Sequence, residues 1–255
     1  MADKAPGRGG ARLDATLVAR GLAETRSRAQ ALILAGRVDV GGQRCDKAGT
    51  RVADDAAINV RETQDWASRG AYKLLGALEA FPWLLERLHG ADVLDVGAST
   101  GGFTDVALQR GAARVIAVDV GYGQLHWRLQ SDDRVVVIDR TNIRTLPPGA
   151  LPFTPTFAVC DASFISVRLF LDVVLRELAP GSPFVVLVKP QFEVGREAVG
   201  KGGVVRDEAE RQRALAEVRA EAVRVGFHDL GACDSPVAGP KGNLEHLLVL
   251  EKPAD

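Results

Sequence analysis

The stretch DVLDVGASTGGFT, residues 92–104, constrains this chain more than any other, because an apolar run that ends in Asp95 and breaks into glycines reads as strand, tight loop and helix start. That is the nucleotide-binding opening of an open α/β sheet. Two glycine loops of known mechanics do not fit it. The dinucleotide fingerprint needs a glycine where Ser99 stands, and the phosphate loop needs a lysine where Phe103 stands, although Gly97, Gly102 and Thr104 keep the spacing of the second. What remains is a close-approach loop for a nucleoside without a phosphate tail. A second apolar run, VIAVD, ends in Asp119, where a carboxylate at a strand end accepts hydrogen bonds from ribose hydroxyls. S-adenosylmethionine meets that description.

At 255 residues the chain has room for one or two domains, and its charge favours two. Residues 1–61 hold eleven Lys and Arg against seven Asp and Glu, whereas the whole chain nets −1. A small basic head on a mildly acidic body points to a polyanion gripped at one end. Cys45, Cys160 and Cys233 are odd in number, far apart and without a C-x-x-C pair, so neither a disulfide framework nor a zinc site is indicated, and a reducing cytoplasm is the expected compartment. His89, His126, His228 and His246 are equally scattered, and no metal is expected. No run approaches the roughly 18 apolar residues that mark a membrane span. The polar, glycine-rich opening MADKAPGRGGAR argues against a signal peptide, and residues 1–10 are expected to form a disordered arm.

Residues 11–60 read as a compact α+β unit. Helical stretches at 13–20 and 26–34 precede the alternating Val38 and Val40, the turn Gly41-Gly42 and an extended piece ending near Val60, and Arg12, Arg20, Arg26, Arg28 and Arg37 punctuate the whole. Arg12-Leu13-Asp14, Gly21-Leu22-Ala23, TRSRAQALI and GRVDVGG together resemble the S4 RNA-binding domain, with departures at Thr25, usually serine, and Gly41, usually asparagine. The resemblance implies that these arginines grip structured RNA by shape and phosphate, for which the planar guanidinium is suited. The alternative is a small interaction domain with a solvated basic face. Residues 61–68, RETQDWAS, read as a polar linker around an exposed Trp66.

From 69 to 255 the pattern is that of an α/β domain. A helix in SRGAYKLLGALEAF places Leu74, Leu75, Leu78 and Phe81 toward a core, and the strands VIAVD, VVVID, FAVCD, FVVLVK, HDLGAC and LLVLE interleave with helices such as ISVRLFLDVVLREL and EAERQRALAEVRAEAVRV. Such alternation argues for a Rossmann-like, mostly parallel sheet with helices on both faces. LLVLE follows GNLEH without an intervening helix, so it is expected to run antiparallel.

Reactive groups in such sheets gather at the carboxyl ends of strands, where Asp119, Asp139, Asp161 and Lys189 all fall. A lysine that closes a buried apolar strand and precedes Pro190 is held at the sheet edge. SRGAYKL, DVGASTGGFT, AVDVGYGQL, DRTNIR, CDASFIS, LVKPQFE and GPKGNLEHLL, spread over nearly the whole chain, resemble the motifs of the TlyA-type ribosomal RNA 2'-O-ribose methyltransferases, in which an S4 domain is fused to an FtsJ-like (RrmJ-like) catalytic domain. That resemblance implies S-adenosylmethionine as cofactor, methylation of a ribose 2'-hydroxyl, of cytidine in the family, and ribosomal RNA or ribosomal subunits as partners. It implies a Lys-Asp-Lys-Glu tetrad at Lys73, Asp161, Lys189 and Glu245. Cofactor contacts are implied for Gly97, Ala98, Ser99, Thr100, Gly101, Gly102 and Phe103, for Asp119, Val120 and Asp161, and near the adenine for Asp139 and Asn142. The family linker often reads Arg-x-Trp-Val, of which Gln64-Asp65-Trp66-Ala67 keeps only the tryptophan.

The tetrad makes chemical sense on its own terms. A ribose hydroxyl is a poor nucleophile at neutral pH, so its attack on a sulfonium methyl benefits from a base and from in-line placement. Lys189 is the expected base and Asp161 orients it. Lys73 attracts the phosphate beside the target ribose, and Glu245 either orients Lys73 or accepts from the hydroxyl itself. Competing readings are a membrane-lytic role, which the family's hemolysin label suggests and the lack of a spanning segment opposes, and non-enzymatic RNA binding in ribosome assembly, which leaves Lys189 and Asp161 without a task. Arg12-Leu13-Asp14 also matches the aspartate motif of pseudouridine synthases, but it lies inside the S4 pattern, and such an enzyme has no use for the loop at 95–104.

Overall fold

A computed structural model describes residues 10–23, 25–34, 36–60 and 66–254. Most of the expected arm over 1–10 and of the linker over 61–68, Gln64 and Asp65 included, lies outside the described residues. The chain divides into two compact units, Met1–Asp65 and Trp66–Asp255.

In the first unit, β1 (Ala11–Arg12) leads into α1 (Leu13–Ala19) and α2 (Arg26–Leu34), followed by β2 (Val38–Val40), β3 (Gln43–Cys45), β4 (Arg51–Val52) and β5 (Ile58–Val60). β2 pairs antiparallel with β3 and β5, and β1 with β4. The reversal between β2 and β3 uses Gly41 and Gly42, both at positive φ, as the tight turn requires. Leu13, Leu17, Ala29, Ile33, Val38 and Val52 form its core.

The second unit runs α3 (Ala71–Ala80), α4 (Trp83–Leu88), β6 (Asp92–Val96), α5 (Gly102–Gln109), β7 (Arg114–Val118), α6 (Trp127–Gln130), β8 (Val135–Ile138), β9 (Phe157–Cys160), α7 (Leu171–Glu177), β10 (Pro183–Val188), α8 (Pro190–Glu193), α9 (Glu208–Val225), β11 (His228–Asp234) and β12 (His246–Glu251). Among the described residues one sheet takes the order β11-β12-β10-β9-β6-β7-β8. The strands from β10 to β8 are parallel, and β12 inserts antiparallel between β10 and β11, as the missing helix before LLVLE led one to expect. Both faces are covered. Val93, Val115, Val159, Leu187 and Leu247 pack with Leu74, Leu84 and Val106 on one side, while Leu94, Ile116, Ala158, Val186 and Leu248 pack with Val174 and Val218 on the other.

Two local expectations are corrected. The helix read from residue 165 starts as α7 only at Leu171, because Phe164 adopts a left-handed φ of 66° and Glu193 accepts from the Val167 N–H and the Ser166 hydroxyl, so that residues 164–166 stay out of a helix and only a 3-10 turn over Val167–Leu169 precedes α7. Trp66 is not exposed. It is half-buried against the core that contains Leu74, and the next N–H, that of Ala67, donates to Asp105 Oδ2 at 2.7 Å.

Candidate active site

Strand parity explains why the chemistry collects on one side of the sheet. Side chains alternate between faces along a strand, and Val93, Val159, Leu187 and Leu247 face the core shared with α3 and α5. Asp95, Asp161 and Lys189 stand two residues further along their strands, and Glu245 stands two residues before Leu247 on the reversed β12. All four therefore project to the same side of one sheet edge.

Lys73, in the first turn of α3, completes the group. Its Nζ donates to Glu245 Oε2 at 2.7 Å and lies 3.7 Å from Asp161 Oδ2. Lys189 Nζ forms an ion pair with Asp161 Oδ1 at 2.6 Å and donates to the Asp161 main-chain oxygen at 3.0 Å and to Ser163 Oγ at 2.6 Å. Asp161 thus bridges two lysines. Lys73, Lys189 and Glu245 are buried and Asp161 is half-buried. Two cations and two carboxylates balance, the condition under which buried charge is tolerated.

The loop after β6 packs tightly on the loop after β9. Gly97 has φ of 77°, and a Cβ there would lie 2.7 Å from Ala162 Cα. Two adjoining cavities open beside it and share Gly97, Ser99 and Asp161. The first, about 240 Å³, is lined by Lys73, Asp95, Ala98, Thr100, Gly102 and Phe103. The second, about 310 Å³, joins Asp119, Val120 and Asn142 to the apolar Val96, Val118, Ile143 and Ile165. Asp119 accepts from the N–H groups of Ser99 and Gly121 at 2.8 and 2.7 Å, which anchors it and leaves each oxygen a further lone pair. Gly101 and Asp139, also expected to touch the cofactor, are placed differently. A Cβ on Gly101 would meet Leu129 behind the loop, and Asp139 accepts from the Gly123 N–H; neither residue lines these cavities.

Asp95 and Ser163 were missed by the sequence reading. Asp95 is fully buried; its Oδ2 accepts from Thr104 Oγ1 at 2.6 Å, and its Oδ1 has no partner. Burial, reinforced by the charges of Asp161 and Asp119 and opposed by the Thr104 hydroxyl, pushes its carboxyl up to about 7. An aspartate two residues before the first glycine, at core parity, was the available signal. Cys160 is inert, since burial pushes its thiol up to about 12.

In the first unit the buried Asp14 accepts from Arg12 at 3.0 Å, from Gln30 at 2.9 Å and from Arg26 at 3.1 Å. The Arg12 guanidinium, with Gln30 and Arg26, holds its carboxyl well below the usual range. Arg20 donates to the carbonyls of Ala56 and Asp54. These three arginines therefore build the unit as well as charge its surface, where Arg12 and Arg26 stay about half-exposed. Arg28 is exposed and Arg37 half-buried.

Residues 66–252 match the FtsJ-like methyltransferase family, and residues 11–58 match the S4 domain. The 16S/23S rRNA (cytidine-2'-O)-methyltransferase TlyA of Mycobacterium tuberculosis is 48% identical, over 96% of this chain and 91% of that protein. The chain belongs to the TlyA family of FtsJ-like methyltransferases. A solved structure from Streptococcus thermophilus that carries the hemolysin label is 42% identical, with a TM-score of 0.72 over 96% of this chain and 89% of that one. A structure from Listeria monocytogenes, described as an S-adenosylmethionine-dependent methyltransferase, shares the fold at 16% identity, with a TM-score of 0.52 over 71% of this chain and 99% of that one. Among the described residues of this TlyA-family chain no helix is long and apolar enough to cross a membrane.

The family's cofactor is S-adenosylmethionine, and the residues present fit it. Asp95 Oδ1, buried and without a partner, suits an ammonium group, and the spare lone pairs of Asp119 suit ribose hydroxyls. Val118, Ile143 and Ile165 provide an apolar lining for an adenine ring.

Proposed function

We propose that this chain methylates the ribose 2'-hydroxyl of a cytidine in ribosomal RNA, in the cytoplasm, with Lys73, Asp161, Lys189 and Glu245 as its catalytic groups. The observation that carries this reading is the charge-balanced cluster around Asp161, which lines both cavities and lies 2.6 Å from Lys189 and 3.7 Å from Lys73. When bound, S-adenosylmethionine supplies a methyl group on a positively charged sulfur that leaves as a neutral thioether. Asp95, Asp119 and Asn142 would hold it beside the loop at 97–103. Lys189 Nζ takes up the proton of the ribose hydroxyl, and Asp161 fixes that nitrogen through both its carboxylate and its main-chain oxygen. Lys73, held by Glu245, presents its charge to the phosphate beside the target ribose. Residues 11–60 grip the RNA with Arg12, Arg20, Arg26, Arg28 and Arg37, and residues 69–255 do the chemistry.

Incubation of purified protein with ribosomal subunits and methyl-labelled cofactor tests the reading. Label in alkali-resistant dinucleotides that begin with cytidine is expected. Label on a base, or none, would overturn it.

A further inference from the structure

Lys189 acts as a base only when it has given up a proton and its lone pair has somewhere to point, and the oxygens around it limit how that happens. Among the described residues three oxygens surround Lys189 Nζ: Asp161 Oδ1 at 2.6 Å, the Asp161 main-chain oxygen at 3.0 Å and Ser163 Oγ at 2.6 Å. The Asp161 main-chain oxygen and Ser163 Oγ accept two hydrogen bonds from the nitrogen, Asp161 Oδ1 pairs with it by charge, and Lys189 is only 5% exposed, so a ribose hydroxyl has little room to approach the nitrogen itself, whereas Ser163 beside it is exposed. A carboxylate and a carbonyl can only accept. The Ser163 hydroxyl can also donate, which makes it the neighbour able to face the lone pair of a neutral amine.

Its position fits that task. Ser163 is exposed, and it lines both the cavity that contains Asp119 and Asn142 and a separate cavity of about 310 Å³ beside Lys189, Phe164 and Glu245. The chain just after it is anchored. Phe164 follows in the left-handed conformation, and Glu193 fastens the next turn through Ser166 and Val167.

We propose that Ser163 relays a proton between the ribose 2'-hydroxyl and Lys189, an inference that rests on the methyl transfer proposed above. As the ribose oxygen gains its methyl group its O–H bond breaks and that proton passes to Ser163 Oγ. The proton already on Ser163 passes to Lys189 Nζ, which becomes an ammonium paired with Asp161. The electron pair of the broken sulfur–carbon bond stays on sulfur. Between turnovers the exposed hydroxyl returns the proton from Lys189 to solvent.

Single-turnover methyl transfer by the full chain to ribosomal RNA, measured in mixtures of light and heavy water for wild type, Ser163→Ala and Ser163→Thr, tests the relay. Ser163→Ala is expected to lower the rate by about a hundredfold, with cofactor affinity by calorimetry and melting temperature unchanged. The wild-type rate should bow downward with deuterium content because two protons move, and the residual rate of Ser163→Ala should fall linearly because one does. Ser163→Thr, which keeps the hydroxyl, should restore most of the rate and the bowed curve. A wild-type rate in Ser163→Ala, an unchanged bow, or no rescue by threonine would each overturn the relay while leaving the methyl transfer standing. RNA left unmethylated by wild type would overturn both.

Discussion

Asp95 keeps its proton up to about 7 because it is fully buried, whereas an exposed aspartate releases its own near 3.9. The folded state binds that proton more tightly than the unfolded chain does. Stability of the free protein therefore falls as pH rises from about 4 toward 7, and the whole penalty is present above that range. Asp95→Asn should raise the melting temperature near pH 8 and leave it nearly unchanged near pH 4. Cofactor affinity, measured by calorimetry, should strengthen from about pH 6 to about pH 8 in the wild type as the carboxylate forms, and be weaker and flat in Asp95→Asn. Lys189 is tested differently. Lys189→Ala should slow methyl transfer at least about a hundredfold with little change in cofactor affinity, and Lys189→Arg should rescue poorly because a guanidinium does not give up its proton. Lys73→Ala strands Glu245 without its cation, so urea denaturation should show a loss of about 3 to 5 kcal/mol alongside any loss of activity.

The segment between β11 and β12 places Glu245, and it does so through a missing side chain. Gly239 has an ordinary φ of −64°, but a Cβ there would lie 2.2 Å from Glu245 Oε1. Gly239→Ala should push the carboxylate off Lys73 and depress methyl transfer, while circular dichroism and cofactor binding stay near wild type. At this scale much was legible beforehand. The apolar runs ending in Asp119, Asp161 and Lys189 are strands β7, β9 and β10, α9 spans the stretch read as helix, and β12 is antiparallel. These follow from periodicity and from short connections, which are local properties. What could not be read depends on partners distant in sequence. The start of α7 is set by Glu193, 26 residues beyond the Val167 N–H that it captures. Ser163 matters through Lys189, also 26 residues away. Asp95 hid inside an apolar strand, because only the packing of Thr104 and the loop shows that one of its oxygens is left over.

Two units with separate cores are present, and the division of labour between them proposed above is open to test. A shortened chain beginning near Arg61 should bind cofactor like the full protein but methylate ribosomal RNA poorly, and the RNA affinity of the full chain should fall steeply with salt as counterions compete for the phosphates. Full activity without the first unit would refute that division. Acid should act on the first unit through Asp14, whose lowered value stabilises the fold above about pH 4 and ceases to do so as pH falls through it. The placement of β12 between β10 and β11 reaches furthest. A nascent chain made only as far as β11 has two strands with a bare edge between them and a lysine on α3 that has Asp161 within reach but not yet Glu245, its hydrogen-bonded partner. Such a chain has a nucleoside loop but no finished catalytic cluster.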